Sequence, residues 1–413
     1  MRRDHKDRDA ESGTHGTIFV VPTTYDAIVI GVGGMGSATV YELARRGRRV
    51  LGLERYDIPH DLGSSHGVNR IIRLAYWEHP AYVPLLRRAF ELWRELELRC
   101  GERLLIVTGS IDAGRHDSRT FAGALRSCEV YSLPHDVLDA AALRARFPAY
   151  QLPPDMAAVY QADGGFVLPE RAIVNYVNAA HDLGAEIHAR EPVLGWEAGS
   201  GGVTVRTAAA TYRAARLVLT AGPWTADLVP AFRSLAQPER QVMLWVQPRR
   251  PDLFRPAQFP VFNMEAPEGH YYGFPIFGIP GFKVGKYHHR REAAHPDAMD
   301  RGCHAEDEAV LREGIRRYFP DGDGPTLSMK TCLFTNSPDE HFIIDRHPAL
   351  PQVIIAAGFS GHGFKFCSVV GEILAELALE AASRWDLTLF RLSRFDAAGL
   401  KNSEFGIQNL ELE

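Results

Sequence analysis

Tyr25-Asp26-Ala27-Ile28-Val29-Ile30-Gly31-Val32-Gly33-Gly34-Met35-Gly36 joins a strand-forming run to a glycine-rich turn. Its first six residues are a short β-branched run of the kind that forms a strand buried on both faces, and the glycines follow without a break. Ser37 to Arg46 continue with apolar residues at helical spacing until Gly47, and Arg48 to Glu54 supply a second strand. Gly31, Gly33 and Gly36 let the backbone approach a pyrophosphate, whose charge is met by free N–H groups and the positive end of the helix. Glu54 closes the second strand, 23 residues after Gly31, where a carboxylate accepts hydrogen bonds from ribose hydroxyls and disfavours a 2′-phosphate. Strand, glycines, helix, strand and acid in this order predict an α/β dinucleotide-binding unit. The unit alone does not separate FAD from NAD, because both use it.

Further along the chain, Arg213 to Gly222 reads as a later strand delivering a small-residue turn back against the nucleotide. Pro169 to Leu183 reads as a capped amphipathic helix and Gly184 to His188 as a strand. Strand-like runs at Val242 to Gln247 and His270 to Phe277 predict a second sheet. With 413 residues the chain is long enough for two domains sharing a cleft.

Composition narrows the function classes. Hydrophobic residues at 46% and charged residues at 23% exclude disordered, collagen and coiled-coil chains. A net charge of −5 with no long basic block argues against nucleic acid or an anionic membrane as the main partner. Five scattered cysteines with no C-x-x-C pair suggest neither a disulfide framework nor a metal site, and fit a reducing cytoplasm. Met1 to about Pro22 lacks the apolar core of a signal peptide and reads as a mobile tail. No uninterrupted apolar run reaches the length of a membrane-spanning helix. Only six of the 46 basic residues are lysines, so a lysine inside a glycine-rich or apolar segment invites attention. Lys283 and Lys365 are such residues.

Five segments carry a resemblance: Gly63 to Tyr76 (GSSHGVNRIIRLAY), Tyr271 to Pro275 (YYGFP), Gly281 to Lys286 (GFKVGK), Cys332 to Asp345 (CLFTNSPDEHFIID) and Gly358 to Phe366 (GFSGHGFKF). In this order they resemble the monomeric sarcosine oxidase and N-methyltryptophan oxidase family, within the larger D-amino-acid-oxidase-like flavoproteins. The resemblance runs from about Tyr25 to about Phe395. It implies an α/β (α+β overall) chain: a Rossmann-like βαβ FAD domain over 25–102, 155–237 and 329–395, and a second mixed-sheet substrate domain over 103–154 and 238–328. Residues 1–24 and 396–413 are then terminal tails.

The resemblance also implies roles. FAD is linked covalently through Cys332, with Gly361, Gly363 and Lys365 at its pyrimidine edge. His66 and Arg70 lie beside the flavin, Arg73 and Lys365 clamp the substrate carboxylate, and Lys283 activates oxygen. Tyr272 belongs to the catalytic set. Taken as a helix, the segment would place His66, Arg70 and Arg73 on one face. Of Tyr287, His288 and His289, His288 is taken as the pocket histidine. Asn69 stands where a threonine is usual, and Phe334 where sarcosine oxidase has a tyrosine. The implied activity is oxidative demethylation of a small N-methyl amino acid, sarcosine first, by a monomer that uses O2 and no metal. N-methyltryptophan and cyclic imino acids are the alternative substrates, Arg384 to Phe395 looking closer to the N-methyltryptophan branch and Asp339 to Asp345 (DEHFIID) closer to sarcosine oxidase. A dehydrogenase using another acceptor and a non-catalytic flavoprotein are the rival classes.

Overall fold

A computed structural model describes residues 24–380 and 382–398, so the expected N-terminal tail apart from Thr24, which opens the first strand, and most of the C-terminal one lie outside the described residues. The strand Thr24–Ile30 pairs in parallel with Val50–Leu53 on one side and Thr211–Leu219 on the other. Glu186–His188 and Leu350–Ala357 extend the parallel block at either end. The antiparallel strands Val193–Gly199, Gly202–Thr207 and Ile343–His347 complete an eight-stranded sheet. Ala27 to Val29 are fully buried, as expected of a strand covered on both faces.

Helices Gly34–Arg45, Pro169–Asp182 and Cys367–Leu379 pack against this sheet, Val83–Cys100 packs on Cys367–Leu379 and Pro169–Asp182, and together they form the largest core. The helix Cys367–Leu379 is buried from Cys367 through Ala378. Its two glutamates, Glu372 and Glu376, are offset by Arg88 and Arg384.

A second eight-stranded, mainly antiparallel sheet runs in the order Thr326–Asn336, Gln237–Val246, Phe282–Lys286, Gly269–Phe274, Val261–Ala266, Ser110–Arg115, Met156–Gln161, Asp136–Asp139. The strands expected at Val242 and at His270 are both in it. The boundaries expected at 155 and 329 fall at Met156–Gln161 and within Thr326–Asn336, two strands that pair wholly inside this second sheet. Among the described residues no helix is long and apolar enough to cross a membrane.

Two local expectations are corrected. The first helix begins at Gly34, inside the glycine turn rather than after it. The segment Arg70–Ile72 is a strand, not a helix; it pairs with Gly165–Val167, which also pairs with Leu105–Val107. The β-branched pair Ile71-Ile72 favours that conformation. Side chains of a strand alternate, so Arg73 leaves on the side opposite Arg70.

Candidate active site

One cavity runs from the glycine turn of the first sheet to the second sheet. Its nucleotide end is lined by Gly31, Val32, Gly33, Gly34, Glu54 and the turn Thr220–Trp224. Gly31 has φ +89°, and a Cβ there would lie 2.6 Å from the Thr220 carbonyl oxygen; a Cβ on Gly36 would lie 1.8 Å from the Gly31 carbonyl oxygen. Only glycine permits this turn. Glu54 Oε2 accepts from Val32 N at 2.8 Å and Oε1 from Tyr56 N at 3.1 Å. The carboxylate is thereby fixed at the strand end with lone pairs left towards the cavity. The helix Gly34–Arg45 has no acid in its first turn, and Gly34 N donates to the neutral Ser65 Oγ at 3.3 Å, so its N-terminal charge is not offset by an acid of its own first turn.

The other end gathers residues distant in sequence: Arg70, Tyr272, Tyr287, Cys332, Phe334, Thr335 and the loop Gly358–Lys365, including Gly361 and Gly363. Gly361 has φ +78°, and a Cβ there would meet the Phe334 ring at 2.4 Å, so the loop can approach this wall only as glycine. Cys332 is buried, and Arg70 Nη2 donates to its sulfur at 3.6 Å and to Ser64 O at 3.0 Å. Arg70 Nη1 donates to Asn69 O at 3.0 Å, and no carboxylate lies within ion-pair distance among the described residues. Cys367 is also buried but does not line the cavity.

Lys365 is 5% exposed; Nζ donates to His362 O at 2.6 Å and to Tyr76 Oη at 3.4 Å. Burial pulls its pKa down to about 7, against the opposing charge of Glu78. Tyr272 is held above the ordinary tyrosine range by burial, so its phenol stays protonated.

Lys283 lies in the strand Phe282–Lys286, 1% exposed, between the rings of Trp245 and Phe274. Its Nζ donates to Gly67 O at 2.8 Å and to Asn69 O and Oδ1 at 3.0 Å. Burial, and then the charge of Arg70, pull its pKa well below the usual lysine range. Three acceptors nevertheless match an ammonium, which has three N–H donors, better than a neutral amine with two. Lys283 does not itself line the cavity, and neither does His66, whose two ring nitrogens are buried without partners. Burial, with Arg70 next, holds His66 well below its ordinary pKa and therefore neutral.

Arg73 is corrected. It is 1% exposed, does not line the cavity, and its Nη2 donates to Glu78 at 2.9 and 3.2 Å. Its Nε lies 3.1 Å from Asp112 Oδ1, in an ion pair whose angle makes no hydrogen bond. Burial raises Asp112 to about 7 despite Arg73; for Glu78 burial is the largest influence and pushes upward, but Arg73, His362 and Lys365 together hold the carboxyl below its usual range. The strand alternation that turns Arg73 away from Arg70 turns it into this acidic pocket. Sequence reading missed Glu78 and Asp112; the signal for Asp112 was an acid between Ile111 and Ala113 in the strand Ser110–Arg115, buried from Ser110 to Gly114.

His288 is corrected as well. Tyr287 faces the cavity, whereas His288 bonds Glu239 at 3.0 Å and Glu340 at 2.9 Å, and these two carboxylates raise it to about 9. His289 is buried on Asp307 at 3.0 Å. The cause is a break in alternation: His288 has φ +52°, just after the strand ends at Lys286.

The residues present fit FAD. The glycine cradle and the fixed Glu54 suit a ribose and pyrophosphate, and the buried Thr335 Oγ1, without a partner, waits on the wall at the opposite end. The chain matches the FAD dependent oxidoreductase family over residues 26–377. It is similar to the monomeric sarcosine oxidase of Streptomyces avermitilis, 44% identical over 380 residues that cover 91% of this chain and 99% of that one. The N-methyl-L-tryptophan oxidase of Citrobacter koseri is 38% identical over 377 residues, covering 90% and 99%. Among solved structures, the open form of NikD, an unusual amino acid oxidase essential for nikkomycin biosynthesis, aligns with a TM-score of 0.77 at 27% identity, covering 89% of this chain and 97% of that one. L-proline dehydrogenase from P. horikoshii shares the fold at a TM-score of 0.79 and 22% identity, covering 92% and 100%. A match of this extent, on a chain whose cavity has the features FAD requires, means that the protein belongs to the FAD dependent oxidoreductases, in the group of the monomeric sarcosine oxidases and N-methyl-L-tryptophan oxidases.

Proposed function

We propose that this enzyme oxidises the C–N bond of a small N-methyl amino acid, sarcosine first, with O2 as acceptor: sarcosine, O2 and water give glycine, formaldehyde and hydrogen peroxide. The observation that carries the reading is the far end of the cavity, where Lys365 and Arg70 keep positive charge beside the aromatic wall of Tyr272, Tyr287 and Phe334. An amino acid with a carboxylate and an apolar N-substituent complements both parts.

Bound FAD supplies a two-electron acceptor, and Cys332 is the residue we assign to hold it covalently. Lys365 binds the carboxylate and so orients the substrate nitrogen and the methyl C–H towards the reactive end. Arg73 acts as a positioning residue: by neutralising Glu78 and Asp112 it leaves the Lys365 charge for the substrate. Lys283, with Asn69 and Gly67 fixing its ammonium, provides a stationary positive charge where oxygen is reduced. Neutral His66 and Arg70 border the flavin end. No side chain needs to act as a strong base if the amine reacts unprotonated, and the imine that leaves hydrolyses in water. The first sheet then forms the cofactor layer and the second the substrate layer, in a monomer that we place in the cytoplasm, where its four remaining thiols, Cys100, Cys128, Cys303 and Cys367, stay reduced.

Purified enzyme turning over sarcosine should release formaldehyde and peroxide in equal amounts. Absence of peroxide with formaldehyde still formed would favour a dehydrogenase. A second reading, N-methyltryptophan or another bulky substrate, is favoured by Phe334, whose lack of a hydroxyl makes this wall apolar; a higher kcat/KM for N-methyltryptophan than for sarcosine would select it.

A further inference from the structure

A second cavity lies against the reactive end of the first. Tyr287, Ser360 and His362 line both. Tyr287 is the partition: its ring meets Tyr272 at 5.3 Å and Phe334 at 5.7 Å on one side, and stacks on His270 at 4.6 Å with Trp77 at 6.2 Å on the other. The first cavity reaches the nucleotide turn at its opposite end, so with FAD in place the way to the Lys365 end leads past Tyr287.

The second cavity has a marked charge pattern. Arg119, Lys286, Arg290, Arg291 and the doubly bonded His288 are its cations, facing Glu78, Glu265, Glu268 and Glu340. Glu78 and Glu268 are already neutralised by Arg73 and Arg317, which do not line it. Glu340 is held by Arg119 and His288. Glu265 accepts from Thr120 N and Oγ1 in the first turn of the helix Arg119–Tyr131. Lys286 and the exposed Arg291 have no carboxylate within ion-pair distance among the described residues. Arg290 is itself paired with Glu292 and Asp307, which do not line the cavity. Lys286 and Arg291 therefore stand against Glu265 as the one lining carboxylate without a cation, a positive surplus although the chain as a whole is negative at −5.

We propose that this second cavity is the vestibule through which a carboxylate-bearing amino acid reaches the active site, steered by Lys286 and Arg291 and passing the Tyr287 partition. The inference rests on the proposed function for the identity of the substrate. A surplus of one charge at a cleft concentrates the opposite charge there and speeds association without changing the chemistry at saturation.

The test is the second-order rate constant for association of a monocarboxylate without a charged nitrogen with the holoenzyme, followed in the flavin absorbance as a function of salt, since such a ligand carries the carboxylate charge alone whereas zwitterionic sarcosine has no net charge to screen. From about 0.01 M to about 1 M salt the screening length contracts from about 30 Å to about 3 Å, and the wild-type constant should fall about tenfold. The double variant Lys286→Glu/Arg291→Glu should lose this dependence and start near the wild type's high-salt value, with its limiting rate of reduction at saturating sarcosine retained. Arg249→Glu/Arg250→Glu changes net charge equally at exposed positions lining neither cavity, and should keep the wild-type slope. Equal slopes in wild type and the Lys286/Arg291 variant would overturn the vestibule, as would loss of slope in the Arg249/Arg250 control. A protein that no carboxylated secondary amine reduces at any salt contradicts the proposed function itself, and the vestibule with it.

Discussion

Two groups of cations sit within one region of this molecule and differ in what surrounds them. Arg70, Lys283 and Lys365 donate to carbonyl oxygens, a hydroxyl and a sulfur, all uncharged acceptors. Arg73, only three residues from Arg70, is enclosed by Glu78 and Asp112. Carbonyl partners hold a cation in place without cancelling its charge; carboxylate partners cancel it. The positive field of the cavity is thus set by the partners of each cation rather than by residue type. Carbonyl-held cations should therefore matter mainly to function, and the carboxylate-held one mainly to stability.

The largest effect expected is at Lys283. Lys283→Met should slow reoxidation of the reduced enzyme by O2 roughly a thousandfold, since a unit charge some 4 Å away at an effective dielectric near 20 contributes about 4 kcal/mol. The anion formed when oxygen takes its first electron is absent from the ground state, so the fixed charge acts selectively. Amine oxidation should stay within a modest factor. Stopped-flow mixing of reduced enzyme with oxygen measures this, with the exposed Lys330→Met as control; an unchanged rate in Lys283→Met would assign the charge elsewhere.

Arg73 tests the other side of the contrast. Arg73→Met leaves two buried carboxylates without their cation and should destabilise the fold by about 3–5 kcal/mol, whereas Arg70→Met, which strands only neutral acceptors, should cost about 1 kcal/mol. Urea unfolding of both variants compares them. Equal losses would mean that Arg73 is not charge-locked, and would return it to the substrate carboxylate.

Lys365→Met should raise the Kd for a monocarboxylate inhibitor by about 1.5–3 kcal/mol, roughly 10- to 150-fold. The same binding has a pH signature. Burial lowers Lys365 to about 7 in the free protein, so its ammonium is present below that pH and lost above it. Affinity for a monocarboxylate without a titratable nitrogen should be flat below about pH 7 and weaken up to about tenfold per pH unit above it. In Lys365→Met this dependence should vanish.

Much of this arrangement is legible in the sequence. The βαβ unit follows from Tyr25 to Glu54, because strand, glycine turn and acid are local features with fixed spacing. Cys332, Tyr272, Arg70 and the Gly358–Lys365 loop come together at one cavity although 295 positions separate Arg70 from Lys365, and it is the motif resemblance that foresees this meeting. Periodicity is where reading fails. A helical period puts Arg70 and Arg73 on one face, while the strand period of two separates them. A single left-handed residue at His288 exchanges the roles of neighbouring side chains, which no pattern in Tyr287-His288-His289 announces. Glu78 and Asp112 define the fate of Arg73, yet they come from different elements and meet only in three dimensions.

The central claim is that this chain is a covalent flavoprotein reduced by a secondary amino acid. Purified enzyme mixed anaerobically with sarcosine, then precipitated in acid, tests both halves in one sample. Sarcosine should bleach the flavin absorbance and the flavin should stay in the pellet, with Cys332→Ala releasing it to the supernatant. An unbleached spectrum with sarcosine and every other N-methyl or cyclic amino acid, or wild-type flavin wholly in the supernatant, would contradict the claim.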